Sequence, residues 1–414
     1  MQEGGTLVAD EEVGGNFDCK GEVNNNGYEI RILPGATINF SDSSARIIMT
    51  GGDFRSGSTP SENTAPVYLK GKNGNPWRGL YLSGCKEVEI FTTCFENILP
   101  YPVDSTYAAQ LIDCEYVNIS NSSFLAEPDV KTGGLLINYT SESNVKEVYI
   151  NYNHFQMDAG DMPALSVVTS GYITFPLIIE NNEFESYSGN DNSANAILLS
   201  GVAGGVIKDN IITGYNNGII LIWSAMDLYG NIITGGDEDS KGVISCALSY
   251  SNLAPNGFVY TGGYNSVSCE GENAKCLEFD NSYSYLNDGY NIFNLNGYDP
   301  GNAFHIAGTI PDLIYDEYGG EADAINNCFR ISNIDTNAAA NVERLDEEPF
   351  NFIFTPYYCG ENLLEGMIAF DLGNGMYDTI YTEPEEAAVQ SPMFNFQCSM
   401  DNQRHLKICQ IQFL

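Results

Sequence analysis

The sequence predicts an all-β solenoid, a parallel β-helix with capping segments at its ends. Two short apolar motifs return along the chain at a roughly constant interval, and residues 28 to 310 contain no long amphipathic helical stripe. A βαβ fold would need crossover helices, and an antiparallel sandwich does not explain the interval. Stacked coils do explain it, since each coil pairs its strands in parallel with the next coil at about 4.8 Å.

The first motif is an Asn-rich turn followed by a side chain large enough to fill a core. Its first six copies lie 29, 31, 29, 28 and 21 residues apart. Asn suits the turns between short strands because it tolerates left-handed backbone, and the bulky residue after it can point inward. We therefore predict structural roles for these turns and for the core residues Phe95, Phe124, Phe155, Phe184, Ile212, Ile233 and Phe293.

The second motif is an apolar segment of 4 to 5 residues that accompanies the first in each interval. These segments are rich in Ile, Val and Leu and are bounded by Gly, Asn and Ser, which is typical of strands between turns. They are "GLYL" at 79–82, "AAQLI" at 108–112, "GLLIN" at 134–138, "ALSVV" at 164–168, "AILLS" at 196–200, "GIILI" at 218–222 and "GVISC" at 242–246.

The stretch 75–98, "NPWRGLYLSGCKEVEIFTTCFENI", is predicted to form most of one coil. We expect "GLYL" and "VEIF" to lie on two different sheets, joined by the Gly-Cys turn. Its neighbours are then the segments before residue 70 and "AAQLIDCEYVNISNSSF". This alignment stacks Cys85 and Cys114, and we favour packing over a disulfide because adjacent coils are already held at strand spacing.

The opening coils resemble those of secreted bacterial right-handed parallel β-helix repeat proteins, which have the pectate-lyase-like superfamily fold and occur as Bacteroidota surface proteins. The resemblance rests on Pro34-Gly35, Gly51-Gly52 and Trp77-Arg78-Gly79 and covers residues 30 to about 300. It implies right-handed coils. The group contains lyase-like enzymes, sugar hydrolases, adhesins and structural proteins, so the fold alone does not select a function.

The spacing of the motifs divides the chain into three segments. Residues 1–27 are predicted to be an N-terminal cap and 28–310 the parallel β-helix. Residues 311–414 lack the regular spacing of the two motifs, although "INNCF" resembles the Asn-rich motif and "PFNFIF" at 349–354 is strand-like. We predict C-terminal coils, a cap or an accessory segment there, because open β-helix ends expose strand edges that need covering.

Charge and cysteine content limit the partners and the location. The net charge of -38, with 17 Lys and Arg against 55 Asp and Glu, argues against nucleic acid, whose affinity comes from basic residues. No stretch approaches the roughly 18 apolar residues of a membrane span, so we expect no membrane insertion.

The 11 cysteines favour scattered disulfides and buried thiols over a metal cluster. Sequons at Asn39, Asn118, Asn121 and Asn138 are compatible with a secreted or cell-surface protein.

The sequence gives little support for catalysis. It lacks the Asp-Asp and Gly-His-Gly elements that a polygalacturonase-like hydrolase would have, and no nucleophile motif occurs. Among the central lysines, Lys208 stands next to an acid, Asp209, and the two side chains would point to opposite faces of a strand. His154, His305 and His405 are interpreted as packing or surface residues. Carboxylates from successive coils could still converge as a catalytic pair.

Binding has better support than catalysis. In "NSYSYLNDGYNIFNLNGYDP", tyrosines alternate with Asn and Asp, which suits stacking on sugar rings; the other interpretation is a structural Tyr ladder. The candidate carbohydrate contacts are Tyr283, Tyr285, Tyr290 and Tyr298.

Loop acids provide the only cofactor candidate, a calcium site. Asp237, Glu238 and Asp239 could bind calcium, although EF-hand spacing is absent and a solvated turn is the alternative. We otherwise expect no cofactor.

Together these observations predict an exported surface, adhesive or structural module whose partners are glycans or other extracellular proteins. The alternative is a polysaccharide lyase or glycoside hydrolase that acts in a groove along the β-helix.

Overall fold

The computed structural model describes most of the chain up to residue 307 and isolated strands beyond it. The described residues are 4–58, 65–99, 107–128, 130–141, 145–157, 162–186, 194–235, 240–246, 249–252, 264–270, 274–280, 283–285, 291–296, 304–307, 321–323, 328–331, 334–335, 342–344, 351–353, 367–371, 377–381, 394–400 and 406–413.

The predicted all-β fold, a parallel β-helix, is confirmed. Each coil contributes a strand to three parallel ladders, which we call the first, second and third ladders. The first ladder contains Gly5–Thr6, Glu22–Asn24, Arg46–Thr50, Leu80–Ser83, Tyr107–Ile112, Gly133–Tyr139, Leu165–Thr174, Asn195–Lys208, Asn217–Ile222, Lys241–Cys246, Lys275–Asp280, Phe304–Ala307 and Val342–Arg344.

The second ladder follows the first within each coil. It contains Glu11–Val13, Ile30–Ile32, Asp53–Ser56, Glu87–Phe91, Tyr116–Ser120, Glu147–Asn151, Leu177–Glu180, the second half of Asn195–Lys208, Ala225–Tyr229, Tyr250–Asn252 and Tyr283–Tyr285.

The third ladder closes each coil. It contains Asn16–Cys19, Thr37–Phe40, Val67–Gly71, Thr93–Glu96, Ser123–Leu125, His154–Met157, Glu183–Ser186, Ile211–Tyr215, Ile232–Gly235, Ser266–Glu270, Ile292–Asn296 and Cys328–Ile331, which ends in an antiparallel pair with Ile334–Asp335.

The two segments of the coil at 75–98 lie in different ladders, but the expectation of two separate sheets is wrong. Leu80–Ser83 and Glu87–Phe91 belong to one 23-stranded sheet, because the long strand Asn195–Lys208 runs through the corner and pairs with strands of both the first and the second ladder. The third ladder forms the separate, 13-stranded sheet. The predicted neighbours on both sides of this coil are confirmed by the register.

The Asn-rich motif has a more specific role than a turn. In "NNEF", Asn181 has φ 55° and turns the chain, and the side chain of Asn182 then points inward and is buried. Its amide donates to Asn210 Oδ1 of the next coil at 3.0 Å, and the pattern continues along Asn153, Asn182, Asn210, Asn231, Asn265 and Asn291. This asparagine ladder forms hydrogen bonds with the buried backbone N–H and C=O groups at the corner between the second and third ladders.

The bulky residues of the same motif stack in the core, as predicted. The rings of Phe95, Phe124, Phe155 and Phe184 are nearly parallel, with successive centroids 4.8, 4.6 and 4.7 Å apart. All four are fully buried. The parallel register therefore fixes the ring spacing at the distance between strands.

Cys85 and Cys114 are stacked, buried thiols on successive coils. Interaction with the neighbouring thiol of Cys114, followed by burial, holds the pKa of Cys85 far above its ordinary value. Cys19, Cys94 and Cys269 are also free thiols.

The ladders extend past both predicted boundaries of the β-helix. Strands within 5–24 already pair in register with the following coil, and 328–331 and 342–344 continue the third and first ladders. Glu321–Asp323 pairs in parallel with Asn351–Ile353. Two antiparallel hairpins follow, Met367–Asp371 with Tyr377–Tyr381 and Phe394–Met400 with Leu406–Phe413. The division into three segments stays a prediction.

Candidate functional site

A polar groove of about 570 Å³ lies on the outer face of the third ladder, near its N-terminal end. Its floor is a row of outward side chains on four successive strands, because the register pairs Asp18 with Asn39, Asn39 with Lys70, and Lys70 with Glu96. The residues that alternate with this row point into the core, as Ile38, Leu69 and Phe95 do, so the floor is rigid. We call this cavity the polar groove.

A short 3-10 turn, Lys72–Gly74, forms one wall of the polar groove. Asn73 has φ 57° and Gly74 has φ 78°, so the turn needs residues that tolerate left-handed backbone. The chain approaches itself so closely that a Cβ on Gly71 would lie 1.7 Å from the carbonyl oxygen of Asn75. The turn brings Lys72 into an ion pair with Asp18 across the groove.

The polar groups of the groove are held in place by further contacts. Asn39 Nδ2 donates to Asn16 Oδ1 at 2.7 Å, and Asn97 Nδ2 donates to Glu127 Oε1 at 2.6 Å. The ammonium of Lys70 lies 5.4 Å from the centroid of the Tyr68 ring. The groove therefore presents amide, carboxylate and ammonium groups in fixed positions, and these groups can exchange hydrogen bonds with the hydroxyls of a sugar.

Glu96 also influences a neighbouring thiol at the edge of the groove. The Sγ of Cys94 donates to Glu96 Oε1 at 3.4 Å. Burial, and after it the charge of Glu96, raises the pKa of Cys94 to about 12. Cys94 is therefore a protonated, weakly nucleophilic thiol at neutral pH.

The two carboxylates of the polar groove are too far apart for the acid/base pair of a glycosidase. Asp18 and Glu96 are separated by three coil steps. At about 4.8 Å per step their backbones are about 14 Å apart, whereas glycosidase carboxyl groups lie about 5 to 9.5 Å apart.

Carboxylates do converge elsewhere, on the outer face of the second ladder. Arg55 Nη2 lies 2.5 Å from Glu87 Oε2, and Arg55 Nε lies 3.5 Å from Glu89 Oε2 and 3.9 Å from Glu29 Oε1. Burial lowers the pKa of Arg55, but the carboxylates, Glu87 foremost, outweigh it and raise that pKa above the ordinary value. Arg55 is therefore a poor base for a lyase reaction.

Glu89 has a different environment from its neighbour Glu87. Burial, followed by the charge of Glu87, raises the pKa of Glu89 above its ordinary value. A carboxyl group with a raised pKa beside other charged side chains is a feature of acid/base sites, so this cluster is compatible with catalysis.

The histidines and Lys208, which the sequence analysis considered for catalysis, have surface positions where their side chains are described. His154, 33% exposed, points outward from the third ladder, with Nε2 3.5 Å from Glu185 Oε2. Lys208 forms an ion pair with Glu180 at 2.6 Å. The side chains of His305 and His405 lie outside the described residues.

The predicted carbohydrate and calcium residues lie outside the described side chains. Tyr283 and Tyr285 belong to a second-ladder strand, but only their backbone is described. The remaining predicted positions are outside the described residues altogether, namely Tyr290, Tyr298, Asp237, Glu238 and Asp239. Both sites stay predictions. Within the described ranges, no three His, Cys, Asp or Glu side chains are grouped to hold a metal ion.

Sequence reasoning missed the polar groove. Its floor alternates with core residues in "NFDC", "TINF", "VYLKG" and "TCFE", the third-ladder strands of the first coils. Extending the repeat toward the N-terminus from Phe95 would have aligned these strands and placed their polar residues in one row.

Comparisons with known proteins give only distant likenesses. No family model and no curated protein matches the chain. Two solved structures of the periplasmic alginate epimerase AlgG are 13% identical, cover 83% of this chain and 76% of theirs, and have TM-scores of 0.34 and 0.26. The Dettilon tailspike protein is 15% identical, with a TM-score of 0.28, and the match covers 74% of this chain and 63% of that one. These values transfer no residue role to this chain. Among the described residues, no helix is long and apolar enough to cross a membrane.

Proposed function

We propose that this protein is an exported surface or adhesion module that binds a glycan in the polar groove without cleaving it. The observation that carries the proposal is the groove itself, a rigid concave row of Asp18, Asn39, Lys70 and Glu96. Its volume of about 570 Å³ falls within the range of ordinary ligand pockets. Export is the part of the proposal that rests on the resemblance of the opening coils.

The arrangement of charges supports binding rather than turnover. Asp18 is paired with Lys72, and Lys70 lies against the ring of Tyr68. Groups held by such contacts can orient the hydroxyls of a bound sugar. The separation of Asp18 and Glu96 by about 14 Å also argues against a glycosidase pair.

Binding can be tested by affinity electrophoresis in gels that contain laminarin, galactomannan, alginate or polygalacturonate. Asn39→Ala and Lys70→Ala each remove a hydrogen-bonding group from the floor of the groove. Loss of about 1.4 kcal/mol of hydrogen bonding would weaken binding about tenfold. Asn118→Ala is the matched control, because Asn118 is an outward amide on the second ladder.

The binding proposal fails if the wild-type protein is not retarded by any of these polysaccharides. It also fails if Asn39→Ala and Lys70→Ala bind as tightly as the Asn118→Ala control. Export is tested separately, by detection of the native chain in the extracellular or periplasmic fraction of its source.

A second candidate, a glycoside hydrolase or lyase, is favoured by the Glu87 and Glu89 pair beside Arg55. The raised pKa of Glu89 would suit a general acid. If this candidate is correct, wild-type protein releases reducing ends or unsaturated uronates from a polysaccharide and Glu89→Gln does not. Absence of product with the wild-type protein rejects it.

A further inference from the structure

Two aromatic side chains meet on the surface at the corner between the first and second ladders. Tyr172 is 43% exposed and Trp223 is 45% exposed. Their ring centroids are 5.8 Å apart and the ring planes are tilted by 43°. Large exposed aromatic surface is costly in water, so this pair needs a physical reason.

The backbone conformation of Trp223 is also unusual for a tryptophan. Trp223 has φ 48°, a left-handed conformation that is unfavourable for a bulky residue. The preceding coil has Gly201 at the same corner, with φ 76°, because Ser200 is in register with Ile222. Gly84 turns the chain at the corresponding corner of an earlier coil, with φ 61°. A tryptophan thus replaces the residue type that suits the corner, and such outliers point to function.

The strand that carries Tyr172 is irregular at this position. Its pairing register shifts between Val168 and Ile173, as in a β-bulge. Bulges commonly redirect a side chain next to a binding site. The intervening coil has Gly201 between the two rings, where a Cβ would lie 2.2 Å from Thr169 Oγ1. The rings on either side of Gly201 can therefore meet.

Charged side chains are sparse around the ring pair, and the carboxylate of Asp113, which accepts hydrogen bonds from Thr140, belongs to an earlier coil. The corner segments 138–141, 169–174, 200–204 and 222–225 contain no Asp, Glu, Lys or Arg, although the chain has a net charge of -38. Hydroxyl groups are present instead; Ser170 Oγ donates to the carbonyl oxygen of Thr140 at 2.6 Å. This chemistry fits a neutral ligand that has both apolar faces and hydroxyls.

We propose that Tyr172 and Trp223 form a platform that stacks against the apolar face of neutral pyranose units. The platform is separate from the polar groove, which lies on the third ladder, and the inference stands or falls independently of it. The exposed rings and the strained backbone at Trp223 are then retained for sugar binding at the expense of stability.

Fluorescence can report on this site directly. The chain has two tryptophans, and Trp77 is fully buried whereas Trp223 is exposed. Quenching by acrylamide therefore measures access to Trp223. We expect laminarin, dextran or galactomannan to protect it from quenching, and polygalacturonate to protect it far less.

Substitutions separate binding from folding. Trp223→Gly removes the ring and suits the left-handed backbone, so it is expected to leave the melting temperature unchanged or higher. In affinity electrophoresis, Tyr172→Ala and Trp223→Gly should each weaken binding of the protecting polysaccharide about tenfold. Tyr152→Gly is the matched control, since Tyr152 is 58% exposed and has φ 54° at a different corner.

The platform is ruled out if none of the three neutral polysaccharides protects Trp223, or if Trp223→Gly binds as tightly as Tyr152→Gly. Asn39→Ala and Lys70→Ala distinguish the two sites, because they should leave the protection of Trp223 intact. Loss of protection in these groove variants would contradict the independence of the platform.

Discussion

Replacing Asn182 with alanine removes one rung from the middle of the asparagine ladder. The Asn182 amide donates to the carbonyl oxygen of Ile150 at 2.9 Å and to Asn210 Oδ1 at 3.0 Å. Its Oδ1 accepts from the backbone nitrogen and from Nδ2 of Asn153, both at 3.0 Å. The side chain is buried, so water cannot replace these partners without rearrangement.

The expected cost follows from the four hydrogen bonds that Asn182→Ala removes. A buried hydrogen bond contributes about 1 kcal/mol net, and a donor or acceptor left unsatisfied costs about 1 to 3 kcal/mol. We therefore expect the free energy of unfolding to fall by about 4 kcal/mol. Asn118→Ala, which removes an outward amide, should change it by about 0.5 kcal/mol or less.

Equilibrium unfolding in urea, followed by far-UV circular dichroism, measures this difference. Stability in a solenoid is distributed over neighbouring coils, so the transition midpoint and the m-value are compared together. A midpoint shift for Asn182→Ala no larger than that for Asn118→Ala would refute the argument that the ladder satisfies the buried corner.

Three further predictions test the core, the thiols and the charged surface. Phe155→Ala removes the third ring of the phenylalanine stack and should lower the free energy of unfolding by about 3 to 5 kcal/mol; a urea midpoint near that of wild type would contradict this. Because its pKa is about 12, Cys94 should react with iodoacetamide at pH 8 far more slowly in native than in unfolded protein, as mass spectrometry can measure, and equal rates would contradict the burial argument. The pKa of Glu89 is raised in the folded protein, so its contribution to stability is present at low pH and lost as pH rises through that pKa. Between pH 4 and pH 8 the melting temperature of Glu89→Gln should therefore rise relative to wild type, and a constant difference would contradict the raised pKa.

The fold could be predicted from the sequence because the core repeats in one dimension. Phe124, Phe155 and Phe184 occupy equivalent positions in successive coils, so their spacing in the chain reports the length of a coil. The buried role of Asn182 was harder to see, since an Asn next to a turn is usually explained by the turn itself. The continuous sheet across the corner depends on one long, bulged strand, Asn195–Lys208, which the motif spacing does not reveal.

The candidate sites could not be predicted in the same way, because outward residues are not constrained by the core. Asp18 and Lys70 share the polar groove only because the register aligns their strands with that of Asn39. Tyr172 and Trp223 meet across a glycine of the intervening coil, in a strand whose register is shifted. The alternating tyrosines near Tyr283 are a pattern within one segment, which is why they were the easier prediction.

Incubating the native protein with acidic and neutral polysaccharides tests the central proposal most directly. Binding is measured by affinity electrophoresis, and turnover by the release of reducing ends and unsaturated uronates from the same samples. A non-catalytic glycan-binding β-helix predicts retardation by at least one polysaccharide with no product released. Product formation that Glu89→Gln abolishes would contradict the account, as would the absence of retardation by every polysaccharide.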